Sequence, residues 1–248
     1  MARGRSFDAD AVEEALRAHP VIELKGLFRR SSNYTFLAEL CDDTSTGKPL
    51  LAVYKPAQGE SPLWDFPSGT LYRREVAAYR LAKHLGWPRV PPTVAREDAP
   101  HGVGALQMYV VAEPDRHYLV ANAEPRETWI EVALFDVLTN NADRKSGHCL
   151  TDADGDVWVI DHGLTFHVDH KLRTVIWDFA GQPIPPDLRA DLERLAGALG
   201  SGDLAACLGE LISRRELAAL RRRLGAMLRP GWELPQPTSA WSVPWPPV

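Results

Sequence analysis

NNADRKSGH at residues 140–148 and VWVIDHG at 157–163, separated by a polar DADGD at 152–156, are the stretches on which the reading of this chain turns. Helical periodicity from Glu127 puts Ile130, Ala133, Leu134, Val137 and Leu138 on one face and stops at Asn140-Asn141, so Asp143 falls on a loop that follows a helix. DADGD between two short apolar runs predicts a hairpin turn, which sets Asp161 on the next loop. Phosphate transfer needs one carboxylate to orient and deprotonate a hydroxyl and another to hold the divalent cation that neutralises the phosphates. Asp143 and Asp161 are the candidates.

Upstream, Asp10 and Glu13 predict a capping box for a first helix that ends near His19-Pro20. VIELKGLFRR (21–30), SSNYTFLAEL (31–40) and LLAVYKP (50–56) read as three strands of a meander. The Pro- and Gly-rich stretch 56–70 then reads as a long loop leading into the helix LYRREVAAYRLAKHLG (71–86). On that helix Leu71, Glu75, Ala78, Ala82 and Leu85 share an arc of about 80°, so Glu75 sits inside the apolar stripe. A carboxylate there is costly to bury without a cation or several donors. Lys55, at the end of the third strand, is the expected partner. GALQMYVVAEP (104–114) is a further extended stretch. Beyond the hairpin come a long loop over 164–186, helices near 187–199 and 213–228, and a proline-rich tail from 230 whose three tryptophans are expected to lie against the domain.

The 248 residues, 45% of them hydrophobic, suffice for one large domain or two small lobes. A net charge of −5 gives no general basic field to recruit nucleic acid or anionic lipid. The cluster Arg214, Arg215, Arg221, Arg222 and Arg223 reads as a solvated helix face. Cys41, Cys149 and Cys207 lie far apart with no zinc spacing, which fits a reducing cytoplasm, and no apolar run is long enough to insert into a bilayer. DADGD is not read as a calcium loop, because the twelfth position from Asp152 is Gly163 where such loops carry glutamate. His162, His167, Asp169 and His170 lack the close helical spacing of histidine metal sites.

With a Ser-rich turn, a strand lysine, a helix glutamate and two loop aspartates in this order, the chain resembles the atypical kinases. The resemblance is to the phosphatidylinositol 3- and 4-kinase-like superfamily and its bacterial relatives, including the HipA-like protein kinases. VYKP (53–56) is similar to the group's strand lysine, REVAAYRL (74–81) to its glutamate helix, NNADR (140–144) to its catalytic loop and VIDHG (159–163) to its metal-binding DxG. SSN (31–33), PLWDFPSGTL (62–71) and KLRTVIWDFAG (171–181) run together with these in an actinobacterial branch.

That resemblance implies an α+β, two-lobed protein-kinase-like fold, with a β-rich lobe over 1–112 and a mainly helical lobe over 113–248. ATP and Mg2+ are expected in the cleft, and the reaction would move the γ-phosphoryl group to an alcohol on protein Ser/Thr or a small polyol. Lys55 would contact the α/β-phosphates and be held by Glu75. Ser31, Ser32 and Asn33 would replace a glycine-rich lid, and Gln107, Met108, Tyr109 and Val110 would meet adenine. Asp143 would handle the acceptor hydroxyl, and Arg144 would brace the loop or counter developing charge. Asp161 would bind the metal. Five residues after Asp143, where many relatives carry a metal-binding asparagine, stands His148, which puts a second metal site in question, opens the way to Mn2+ and would release metal on protonation near its ordinary pKa of about 6.5. Two other classes remain open at this stage: a nucleotide-binding pseudokinase acting through partners, and a nucleotidyl transferase.

Overall fold

The computed structural model describes residues 8–28, 33–41, 49–113, 116–120 and 126–248. Helix α1 (Ala9–Ala18) is capped by Asp8, whose side chain accepts from the Asp10 and Ala11 amides at 3.1 Å. The expected Asp10–Glu13 capping box does not form. Glu13 turns inward instead, 4% exposed, to meet Tyr79 Oη at 2.6 Å, Arg80 at 2.8 Å and Lys83. A buried carboxylate satisfied by several donors outweighs one reciprocal cap.

Strands β1 (Val21–Leu27), β2 (Phe36–Leu40) and β3 (Leu50–Pro56) form the expected antiparallel meander, and β4 (Thr93–Arg96) and β5 (Gly104–Met108) complete a sheet of order β1-β2-β3-β5-β4. Side chains alternate across a strand. In β3, Ala52 and Tyr54 therefore enter a core with Leu16, Ala38, Leu40 and Leu106, while Val53 and Lys55 face the other way. Gly104 is required where it stands opposite Pro56, because a Cβ there would lie 2.5 Å from the Lys55 carbonyl.

Between β3 and β4 runs helix α2 (Leu71–Leu85), closed by Gly86 in the left-handed conformation at φ 84°. Tyr72 and Val76 pack on Ala105 of the sheet. Ala78, Leu81 and Leu85 belong to the core of the helical half. The helix thus seals one half of the molecule to the other.

The helical half comprises α3 (Arg126–Thr139), the hairpin β6 (Cys149–Thr151) and β7 (Val157–Val159), then α4 (Pro186–Gly200), α5 (Asp203–Leu211) and α6 (Arg214–Met227). Its centre is filled by Leu134, Phe135, Leu138, Phe166, Leu192, Leu195 and Leu220. Asp152 organises the hairpin turn by accepting from the Asp154 and Asp156 amides at 3.0 and 2.9 Å and from Trp158 Nε1 at 2.8 Å. The basic cluster on α6 is only partly solvated. Arg221 donates to the Leu199 carbonyl at 2.7 Å and Arg223 to the Leu138 carbonyl at 2.9 Å, each near a helix C-terminus that lacks internal partners.

Of the three tail tryptophans, Trp232 packs on the core of the helical half as expected, and further along the tail is anchored through its backbone. Pro247 and Ser242 carbonyls accept from the Ser146 and Thr174 amides at 2.8 and 3.0 Å, while Trp241 and Trp245 remain 79% and 88% exposed. Among the described residues no helix is long and apolar enough to cross a membrane.

Candidate active site

Where the two halves meet lies a cavity of about 570 Å3, within the size range of small-ligand sites. Val53, Val110, Leu150 and Ile160 give it apolar walls, and Lys55, Glu75, Asp143, His148 and Asp161 line it as well.

Lys55 reaches the cavity because it shares a face of β3 with Val53, and Glu75 meets it from α2. Lys55 Nζ lies 2.5 Å from Glu75 Oε1 and 3.1 Å from Asp161 Oδ1. Glu75, 2% exposed, uses its other oxygen to accept from the His162 amide at 2.9 Å. The cation expected for the buried glutamate is therefore shared with the loop aspartate. Burial alone would lower the Lys55 pKa, but Asp161 and Glu75 hold the ammonium well above its ordinary value. Burial pushes the Glu75 carboxyl up against the pull of Lys55. For Asp161, burial is outweighed by Lys55 and His148, and the carboxyl sits well below its usual range. Its backbone is left-handed at φ 61°, a conformation that aspartate tolerates better than most residues and that turns the chain sharply after β7.

Asp143 also borders the cavity, with Lys145 Nζ 3.4 Å from its Oδ2 and its own amide bonded to Asn141 Oδ1 at 3.0 Å. Burial pushes this carboxyl up to about 6, with Lys145 opposing and Asp161 adding to the rise. Its ionisation thus falls near neutrality.

Of the two roles expected for Arg144, the geometry supports bracing. The side chain is fully buried, with Nε 3.1 Å from Asp136 Oδ1, Nη1 donating to the Ile160 carbonyl at 2.6 Å and Nη2 to His162 Nε2 at 2.7 Å. It ties the Asp143 loop to the Asp161 loop from behind and does not border the cavity, so it is not placed to counter charge on a reacting group.

His148 stands with Nε2 3.3 Å from Asp161 Oδ2 and Nδ1 3.3 Å from the Lys145 amide. Burial, with Arg144, Lys55 and Lys145, pushes the imidazole down to about 4 against the pull of Asp161. The acid response expected near 6.5 is thus displaced to lower pH, because a second positive charge is unwelcome there.

Gln107, Met108, Tyr109 and Val110 all line the cavity, but the Gln107 side chain is 3% exposed and donates to Thr93 Oγ1 at 2.8 Å. Asn33 lines it too, its Oδ1 accepting from the Ser61 amide at 2.7 Å. Ser31 and Ser32 lie outside the described residues. His167 is occupied at both ring nitrogens, by the Asp65 carbonyl at 3.0 Å and the Asp169 amide at 3.0 Å.

Three contributors had no place in the sequence reading. Asp136, fully buried on α3, holds Arg144, Asn141 and Thr174 together. Glu60 accepts from the Tyr72 amide at 2.9 Å at the start of α2. Arg74 meets Glu216 at 2.5 Å and the Thr165 carbonyl at 2.8 Å, fastening α2 to the segment after Gly163. Asp136 and Arg74 carried the signal that exposed Glu75, a charge within a buried helix.

Among the described residues no group of three or more His, Cys, Asp or Glu side chains is arranged to hold a metal alone. A Mg2+ ion held by one or two carboxylates and completed by phosphate oxygens and water needs no such group. Apolar lining residues, together with a lysine beside a low-pKa carboxylate, are the chemistry that a base and its phosphates call for.

No protein-family model matches the chain. It is 40% identical to Protein Rv2133c of Mycobacterium tuberculosis over 94% of this chain and 95% of that one. Phosphatidylinositol 4-kinase gamma 4 of Oryza sativa is 28% identical over 59% of this chain and 33% of its own length. Among solved structures, the Golgi casein kinase superposes with a TM-score of 0.55 at 16% identity, over 89% of this chain and 74% of that one. Hydra Fam20, solved with sugar, gives 0.51 at 16% identity over 92% and 90%. The fold is kinase-like, α+β, with an antiparallel sheet in its N-terminal part and helices in its C-terminal part.

Proposed function

The chain belongs to the family of the mycobacterial Protein Rv2133c, and we propose that it is an ATP-dependent phosphotransferase acting on an alcohol. The observation that carries this reading is Lys55 bonded at once to Glu75 and Asp161, at 2.5 and 3.1 Å, in a cavity that Asp143 also lines. ATP with Mg2+ or Mn2+ would supply the γ-phosphoryl group and the charge that neutralises it. Lys55 binds the α/β-phosphates as a compact positive charge fixed by Glu75. Asp161 offers carboxylate oxygen to the cation, and Val53, Ile160 and the 107–110 strand end enclose the base. Asp143 orients the acceptor hydroxyl and takes its proton, a task suited to a carboxyl whose pKa lies near 6.

The rice relative supports placing the chain in the phosphatidylinositol 3- and 4-kinase-like superfamily. The acceptor is a protein Ser/Thr or a small polyol; the names of the two structural neighbours, a casein kinase and a protein solved with sugar, support either. A cytoplasmic setting fits three cysteines that are all free.

Mass spectrometry of products, with ATP, Mg2+ and a panel of protein and polyol acceptors, tests the reading. The expected gain is one phosphoryl group. Asp143→Asn is expected to keep nucleotide binding and lose transfer, and Asp161→Asn to weaken metal-dependent binding as well. Transfer of AMP would instead mark a nucleotidyl transferase. Nucleotide binding with no transfer to any acceptor would mark a pseudokinase.

A further inference from the structure

The protons on His148 can be counted from geometry. A backbone amide only donates, so Nδ1, 3.3 Å from the Lys145 amide, is an acceptor and carries no hydrogen. The hydrogen of the ring then sits on Nε2, which faces Asp161 Oδ2 at 3.3 Å. An imidazole ligates metal through an unprotonated nitrogen. To offer Nε2 to a metal, the ring would have to move its hydrogen to Nδ1 and set one donor against another at the Lys145 amide.

We propose that His148 is a positioning residue and not a metal ligand: its Nε2–H faces Oδ2 of Asp161 across 3.3 Å while Lys55 holds Oδ1, and the attraction of the N–H dipole for the carboxylate restrains the group that receives the cation. The inference rests on the phosphotransferase reading for the cation but not for the tautomer. It departs from the expectation that an imidazole at this position favours Mn2+. The cation would meet oxygen ligands alone, from Asp161, phosphate and water, a set that suits Mg2+. Lys145 gains a second task, since its amide selects the tautomer while its ammonium faces Asp143.

Two measurements on the full chain test this. Long-range 1H–15N correlation spectra of 15N-histidine-labelled protein, with His148 assigned by the signals lost in His148→Gln, read the tautomer directly without nucleotide. Hydrogen on Nε2 is expected, both alone and with Mg2+ and a non-hydrolysable ATP analogue. Hydrogen on Nδ1 in either state would overturn the proposal. Calorimetry with the same analogue then compares Mg2+ with Mn2+. His148→Ala is expected to weaken both about tenfold, the usual cost of losing an outer partner of a metal-binding carboxylate. His148→Gln, whose side-chain N–H reaches a similar position, is expected to restore most of that loss, with the Mn2+/Mg2+ ratio unchanged. A selective loss of Mn2+ affinity in His148→Gln would show direct ligation and sink the idea. If no nucleotide binds, the phosphotransferase reading fails, and the wild-type spectrum still decides the tautomer.

Discussion

Lys55 stands between two carboxylates, and its removal would leave Glu75 and Asp161 facing each other with no cation between them. Because Glu75 is 2% exposed, Lys55→Ala is expected to cost about 3 kcal/mol in urea unfolding as well as abolishing transfer. An unchanged midpoint would mean that Glu75 takes up a proton at no cost. Asp143 sets a different dependence. Its carboxylate form is the base, so activity is expected to fall as pH drops through about 6. Lys145 holds that value down, and Lys145→Ala should move the acid limb of kcat/KM to higher pH. An unmoved limb would assign the ionisation to another group.

Helix α3 carries a titration that belongs to the element and not to the site. Burial, with Asp191 and Glu127 adding repulsion, pushes Glu131 up to about 7. The native helix thus keeps a proton that the unfolded chain gives up near the ordinary 4.5, so the associated stability is full below 4.5 and lost as pH rises through 7. Glu131→Gln is expected to raise Tm at pH 8 and leave it nearly unchanged near pH 4.5; equal gains at both would refute the linkage. Legibility from sequence also varied by element. α2, α3, the meander and the hairpin were readable because each has a clear period and clear end signals, and Glu75 stood out as a charge in an apolar stripe. β4 is only four residues long and follows two prolines, and α5 only nine, so neither had length enough to show a period. The cavity-facing roles of Asp143 and Asp161 came from order along the chain. Bracing was one of the two roles expected of Arg144, but its partner Asp136 was not named, because a charge within a buried helix shows that a partner is needed and not which residue supplies it.

Across the whole molecule, the site is assembled from a strand, a helix and two loops drawn from both halves, with α2 packed both on the sheet through Ala105 and into the core of the helical half. The tail adds a distant support, since Ser242 and Pro247 carbonyls bond the Thr174 and Ser146 amides beside the Asp143 loop. Deleting residues 236–248 is expected to speed hydrogen exchange at both amides and to lower transfer more than nucleotide affinity; unchanged exchange would make the tail a passenger. Those bonds also fix a sequence of events during synthesis. Chains are made from the N-terminus and fold in that order, so the ribosome delivers every residue of the cleft long before Ser242 and Pro247 emerge. A nascent chain therefore holds Lys55, Glu75, Asp143 and Asp161 before it holds the two carbonyls that steady the segments beside the Asp143 loop.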